Sequence, residues 1–543
     1  MANHKPKRFN VDNHYDPAVY YAVPARERLP QIYRLIEENK FFVVYAPKDY
    51  GKTCLAREAV EELRRDGQIY AWRYSLGGGW RGDQDRTMTN LALRLHRFLL
   101  RQILAKTIAS RGFNLGALTP ERERVLLTVL GAPREVVDPP PFEPKTAFLT
   151  ALRLTCRLMD KKRVIFFDDV EALPEPALTS FLSQLREGYL ARDQFPFLDS
   201  MALIGQRNLM ADRDRLFPNR GPGEDPLDFL AESLPLPGFT VDEIAALYGQ
   251  SEAEKGQIFD PSAHREAYNW SEGHPWLVNA LARVVLDRQP NPNGEPLKVT
   301  KLSVQDAGMH LANRRNRNVY QALKAMREPP FKRVLRAIIG GLNLEEATEP
   351  DDARLALESG LVKWEKTNRL RLANRVYRQA IVRKLTQDFQ RSLEPGATDD
   401  FIKPGPPDPS AILLSFQSYM RQKGDQARHL VNFCEFDPFL ILIGYLTRYL
   451  PRCGIRLNFL SSSQRAGIDI LYGPLVYHIV MKLNVNPRHL DIAARYLAKL
   501  VKLKSGREGW LVAFDPDRSK PFSQKTGWET VLKDGVNVHV VYC

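Results

Sequence analysis

Residues 46–53 read Ala-Pro-Lys-Asp-Tyr-Gly-Lys-Thr, types and spacing suited to holding a polyphosphate. Backbone N–H groups wrapped around phosphate oxygens at the start of a helix supply oriented donors. Lys52 would reach the outer phosphates, the Thr53 hydroxyl would hold magnesium, and Gly51 lets the backbone turn tightly. Ala46 stands where such a loop usually has its first glycine, and a small residue can follow the same path. The complementary chemistry lies in "RVIFFDDVEAL", residues 163–173. Asp168, at the end of an apolar run, would orient magnesium and its waters, and Asp169 would polarise an attacking water.

Those side chains work only if a strand delivers the loop and a helix receives it. "FFVVY" precedes the loop and "KTCLAREAVEELRR" follows it, which is the context the motif needs. From Phe41 to Phe239, short apolar runs ("FFVVYA", "IYAWRYSL", "RVIFFDD", "SMALIG") alternate with helical patterns. Buried strands separated by helices imply a parallel sheet in an α/β domain, spanning residues 31–239. Residues 1–30 form an N-terminal segment and 240–311 are helical. Residues 312–392 read helix, helix, short strands, helix, with "GLVKWEKTNRLRLAN" as a β-hairpin. That order suits a winged helix, and a helical bundle with a hairpin is the other reading. Residues 393–410, dense in Pro, Gly and Asp, read as a linker. Residues 411–543 mix helices and strands in a second α/β domain.

Composition narrows the function classes. At 543 residues the chain is long enough for several domains. It has no apolar run of the roughly 18 residues needed to span a bilayer, and its basic start lacks the apolar region of a secretory signal. The five cysteines are scattered with no CxxC pair, which argues against zinc or a disulfide framework and for a reducing cytoplasm. Net charge is +14. Residues 314–391 hold 18 Lys and Arg against 9 Asp and Glu, and residues 411–543 hold 18 against 10. This bias either brings DNA or RNA to the C-terminal half or is a solvated basic surface.

"KFFVVYAPKDYGKT", "FFDDVEALPEPALTSFLSQLREGYLARDQFP" and "ALIGQRNL" together resemble the AAA-like ATPases of bacteria and archaea related to the STAND class. "PLDFLAESLPLPGFTVDEI", "NWSEGHPWLVNALA" and "LRLANRVYRQAIVRKLT" continue the resemblance in order, over most of residues 7–390. It implies ATP and magnesium as ligands, a helical lid and a winged helix. It also implies that Arg207 senses the γ-phosphate and that Gly273, His274 and Pro275 form the lid turn beside the adenine. Lys48, Asp49 and Tyr50 depart from the family's Arg-Gln-Thr, and Asp169 replaces its glutamate. A carboxylate one methylene shorter holds water less well, so hydrolysis would be slow. The family also points towards defence against mobile elements.

The stretch "NFCEFDPFLILIGYLTRYL" with "AGIDILYGPLVYHIVMKLNV" resembles a PD-(D/E)XK nuclease domain, a restriction-endonuclease-like α/β fold. Glu435, Asp469 and Lys482 fall on its motif positions. The acid two before the lysine is replaced by Val480, which would leave a metal ion under-coordinated and the domain inactive. Three functions stay open: an ATP-binding switch with slow or no hydrolysis whose C-terminal half binds a protein or nucleic-acid partner; a non-catalytic scaffold with vestigial ATPase and nuclease folds; and an ATP-regulated nuclease.

Overall fold

The computed structural model describes residues 6–12, 16–78, 83–109, 133–139, 141–219, 225–288, 297–313, 329–340, 350–364, 370–393, 405–430, 437–450, 453–460, 465–472, 474–482, 485–503, 506–515 and 519–543, with a few single positions between them. They form two compact units: Met1–His264 with Gly273–Lys298, and Arg265–Glu272 with Val299–Cys543.

The first unit starts with helices α1 (Ala25–Arg28) and α2 (Gln31–Glu37) and strand β1 (Phe41–Tyr45). Then come α3 (Lys52–Arg64), β2 (Ile69–Ser75), α4 (Gln84–Ala109), α5 (Ala147–Cys156) and β3 (Lys162–Asp168). Helix α6 (Glu175–Leu190), β4 (Ser200–Gly205) and β5 (Leu230–Pro235) complete the sheet. Its order is β2-β3-β4-β1-β5 and every pairing is parallel. The four apolar runs read as strands are β1 to β4. Strand β1 shows why they read so: Phe41 and Val43 enter the core on one face, Phe42 and Val44 the core on the other. Covered on both sides, these four residues are fully buried, and each contributes about 1.5–3 kcal/mol by burial. The chain leaves β1 for β2 at the far edge, so the loop after β1 lies where the strand order reverses, the place where open parallel sheets bind ligands.

Helices α7 (Val241–Lys255), α8 (Pro261–Ser271) and α9 (Pro275–Arg288) follow, with short strands β6 (Ile258–Phe259) and β7 (Lys298–Val299). Thr240 and Glu243 start α7 with a reciprocal capping box, at 3.1 and 2.6 Å, satisfying two donors that the first turn leaves open. The N-terminal segment is tied to these helices. Phe9 is buried against Tyr21, Tyr248 and Phe259, Trp276 Nε1 donates to Val11 O at 3.0 Å, and Tyr21 donates to Glu254 at 2.6 Å.

The second unit contains α10 (Lys301–Asn313), α11 (Pro329–Gly340), α12 (Pro350–Glu358), the antiparallel pair β8 (Val362–Trp364) and β9 (Leu370–Leu372), and α13 (Arg375–Ser392). The expected hairpin is there, its turn outside the described residues. Trp270 anchors this part: it is buried, donates to Glu266 at 3.1 Å and lies under the Arg375 guanidinium at 4.5 Å. Helices α14 (Pro409–Leu430) and α15 (Asp437–Tyr449) lead to β10 (Gly454–Leu460), β11 (Arg465–Tyr472) and β12 (Leu475–Lys482). Then come α16 (Pro487–Leu503), β13 (Glu508–Ala513), β14 (Gly527–Lys533) and β15 (Val536–Tyr542). The sheet runs β10-β11-β12-β13-β15-β14. Val382 and Leu393 share a core with Ile412, Phe416 and Leu440, so apolar packing continues from one side of residues 394–404 to the other. Those eleven positions of the expected linker lie outside the described residues.

Glu272 joins Arg371 and Lys363 in a cluster that holds the β8–β9 hairpin. Burial pushes the Glu272 carboxyl up, and the hydrogen bonds from Arg371 and Lys363 outweigh it, leaving its pKa below the usual 4.5. A depressed carboxylate adds stability above its unfolded pKa and loses it as pH falls through the folded one. Glu272→Gln is therefore expected to cost about 1–3 kcal/mol at neutral pH. It should also flatten the loss of stability on acidification, read by urea denaturation of the full chain from about pH 6 down to about pH 2, through and below the depressed folded pKa.

Candidate functional site

The loop between β1 and α3 is built as the sequence implies. Gly51 has φ 82° at the N-terminus of α3 and Asp49 has φ 63°. The left-handed conformation is what glycine supplies at little cost and aspartate tolerates. The Lys52 ammonium lies across its own loop, donating to the carbonyls of Ala46 and Pro47, both at 2.8 Å. Burial pulls its pKa down, opposed by Glu171, Asp168, Asp49 and Asp169 in that order. Burial likewise pushes the Asp49 carboxyl up, opposed by Lys48 and Lys52.

Strand β3 brings Asp168 alongside. The carboxylate is 1% exposed, and its Oδ2 accepts from the Thr53 hydroxyl at 2.8 Å. The same oxygen accepts from Arg73 Nε of β2 at 2.7 Å, with Nη2 in ion-pair contact at 2.7 Å. Asp169, at φ 63°, accepts from the Ser75 hydroxyl at 2.7 Å. Glu171 is held by the Gln206 amide, whose backbone and side chain donate at 3.2 and 2.9 Å.

A cavity of ≈330 Å³ opens over the loop, within the range of small-molecule sites. Its walls include Lys48 to Leu55, Asp169, Glu171 and Gln206, with Pro275, Trp276 and Asn279 of α9. Gly273 makes that last approach fit. It has φ 78°, its carbonyl accepts from Phe239 N at 2.7 Å, and a Cβ there would stand 2.2 Å from Phe239 O. His274 lies buried with its ring 4.9 Å from Tyr50, so the tyrosine of the loop packs on the lid turn. Burial, with the Lys52 charge, takes the His274 pKa down to about 3, keeping the ring neutral.

Thus Gly51, Lys52, Thr53, Asp169 and Pro275 line one cavity, with Ala46 and Asp168 bonded to Lys52 and Thr53, and Gly273 next to the Pro275 helix. Arg207 is placed differently: its guanidinium faces Asp212 at 3.6 Å, and Gln206 is the residue of that strand end lining the cavity. Four contributors were not read from the sequence: Arg73, Ser75, Glu171 and the N-terminal segment, whose Asn10, Asp12, Tyr21, Ala22 and Val23 also line the cavity. Glu171 had a signal, three residues beyond Asp168 in the same acidic stretch. Arg73 had none, since it alternates with buried residues along β2 like any strand arginine.

In the second unit, helix α15 precedes β10, β11 and β12, and α16 crosses to the parallel strand β13. Asp469 stands opposite His478 in the β11–β12 ladder and is bonded to its Nδ1 at 2.7 Å, both groups buried. Val480 is fully buried against α16. Lys482 pairs in register with Arg465, four positions along β11 from Asp469. Glu435 lies outside the described residues. Among the described residues no group of three or more His, Cys, Asp or Glu side chains is arranged to hold a metal ion, and no helix is long and apolar enough to cross a membrane.

No protein-family model matches the chain, and no curated protein gives a significant match. Among solved structures the chain is similar to the Walker-type ATPase PABY2304 of Pyrococcus abyssi, at 15% identity and a TM-score of 0.43, over 66% of this chain and 96% of that one. A likeness to the Aeropyrum pernix ORC2 protein in its ADPNP–ADP complexes has 14% identity and a TM-score of 0.34, over 66% and 90%. Another, to the Thermotoga maritima RuvB Holliday junction branch migration motor, has 14% and 0.32, over 65% and 92%. At these values the P-loop assignment rests on the chain's own strand, loop, helix and sheet order.

Gly273→Ala is expected to force Phe239 away and strain the turn. The cost should be about 1–3 kcal/mol of stability, measured by chemical denaturation of the full chain, with Gly67→Ala, which meets no neighbour within 4 Å, as the control for positive φ alone.

Proposed function

We propose that this chain is an ATP-binding molecular switch with slow or no hydrolysis, whose C-terminal half engages a protein or nucleic-acid partner. The observation that carries the reading is the cavity bounded by the Lys52 loop, by Pro275 and Trp276 of α9, and by Asn10, Asp12 and Tyr21 to Val23. In one enclosure it offers a helix N-terminus and a half-buried ammonium for phosphates and an apolar wall for a base. A ligand bridging loop, lid helix and N-terminal segment would bias how they are arranged, as a switch requires.

Slow turnover follows from how the carboxylates are held. Asp169 is one methylene shorter than glutamate and is drawn to Ser75 on β2. Glu171 is engaged by Gln206. Neither is disposed as an unencumbered base for water. The donors suited to magnesium are the Thr53 hydroxyl and the Asp168 carboxylate, hard oxygens of the type that ion takes. They match it in donor type, but Asp168 Oδ2 already accepts from Arg73, so a bound ion would have to compete with that guanidinium. Thr53 and Asp168 would hold the ion, while Lys52 and the loop N–H groups orient the phosphates.

In the second unit, residues 312–392 are read as winged-helix-like and 411–543 as a restriction-endonuclease-like fold without activity. The buried Val480 and the Asp469–His478 pair support the loss of chemistry: one metal carboxylate is missing and the other is engaged. The basic excess of that half supports a polyanionic partner.

Titration calorimetry with ATP should give a micromolar dissociation constant for the wild type, weakened about 10–100-fold in Lys52→Ala. Turnover on the same samples should stay below about 0.01 s⁻¹, the range of P-loop switches acting alone. No binding in either protein would sink the switch and favour the scaffold.

A further inference from the structure

Asp168 Oδ2 is the most contested atom of the site. Two donors reach it, the Thr53 hydroxyl at 2.8 Å and Arg73 Nε at 2.7 Å, and Arg73 Nη2 stands in ion-pair contact at 2.7 Å. The other oxygen, Oδ1, accepts from Asp169 N at 3.0 Å. The carboxylate is 1% exposed and the Arg73 side chain 19%, so water competes little for either. Arg73 Nη2 also stands 4.0 Å from Asp169 Oδ2, placing one guanidinium between the two acids at the end of β3.

We propose that Arg73 is a built-in countercation of the nucleotide site, so that nucleotide is captured with little dependence on a divalent metal ion. This deepens the nucleotide reading and rests on it. A metal ion shared between Thr53 and Asp168 needs the oxygen that Arg73 occupies. A guanidinium does not deprotonate near neutral pH, so no ordinary change of pH removes it. Its charge cancels that of Asp168 and repels a second cation approaching the same oxygen. Arg73 therefore takes the metal's place beside Asp168, leaving the phosphates to Lys52 and the loop N–H groups, and metal binds well only when Arg73 is removed. Because the arginine sits on the edge strand β2, it can be replaced without opening the middle of the sheet.

The test measures the affinity of the full chain for a non-hydrolysable ATP analogue, by calorimetry, with magnesium and with EDTA. For the wild type the two constants should agree within about threefold, and for Arg73→Gln magnesium should tighten binding by about tenfold or more. Arg73→Lys, which keeps the charge but loses the fork, should fall between them. A second readout is the paramagnetic resonance of manganese. It should stay mostly free with the wild-type complex and be taken up by the Arg73→Gln complex. A wild-type affinity that drops tenfold or more in EDTA overturns the proposal, as does an Arg73→Gln ratio equal to the wild type's. In either case nucleotide binds and the broader reading stands. Absence of binding with and without metal overturns both. Should Arg73→Gln lose its fold by circular dichroism, the wild-type ratio and Arg73→Lys decide the matter.

Discussion

A half-buried ammonium governs the first unit. Lys52 has exchanged water for two loop carbonyls, and burial pulls its pKa down. What keeps it charged is a ring of acids from three elements: Glu171 and Asp169 after β3, Asp168 at its end, and Asp49 in the loop itself. A buried charge is tolerated only when paired and hydrogen-bonded. Packing the loop, β3 and the lid turn around Lys52 is therefore also packing its counter-ions. A polyphosphate entering the cavity would offer the same cation a better partner than any of them, which is the physical sense in which the site is poised for one.

The acids are themselves held. Asp168 answers to Thr53 and Arg73, Asp169 to Ser75, and Glu171 to Gln206. The partners come from β2, from the end of β4 and from α3, so the carboxyl edge of the sheet is stitched by charge-assisted hydrogen bonds. Such a network fixes geometry, and it also withdraws carboxylates from water and metal. A site that binds but turns over slowly is the expected consequence. The second unit shows the same economy in another form, with Asp469 given to His478 and Val480 closing the apolar face against α16.

Much of this was legible in the sequence, and the failures share a cause. The strands covered on both faces announce themselves as apolar runs, and so do β1 to β4, β11 to β13 and β15. The missed strands β5, β10 and β14 are all at sheet edges, where β5 carries Glu232 and β14 carries Glu529 and Lys533 among exposed or half-exposed positions. Edge position alone is not the cause, since the edge strand β2 was legible; β5 and β14 break their apolar residues with exposed or half-exposed polar ones, so their sequences give no continuous signal. The phosphate loop was readable because its chemistry dictates residue types at fixed spacing. Arg73, Ser75 and the N-terminal segment were not, since their roles depend on which strands become neighbours. Tyr50, odd within the loop, is explained only by its contact with His274.

In the proposed nucleotide site, the Lys52 loop, the Gly273–Pro275 turn and the N-terminal segment would form three walls around one ligand. Hydrogen exchange with and without ATP, followed by mass spectrometry on the full chain, tests this most directly. Protection rising together in peptides covering residues 46–55, 273–279 and 6–12 is the result predicted. Protection absent everywhere, or confined to the loop while the turn and the N-terminal segment stay unchanged, would contradict it.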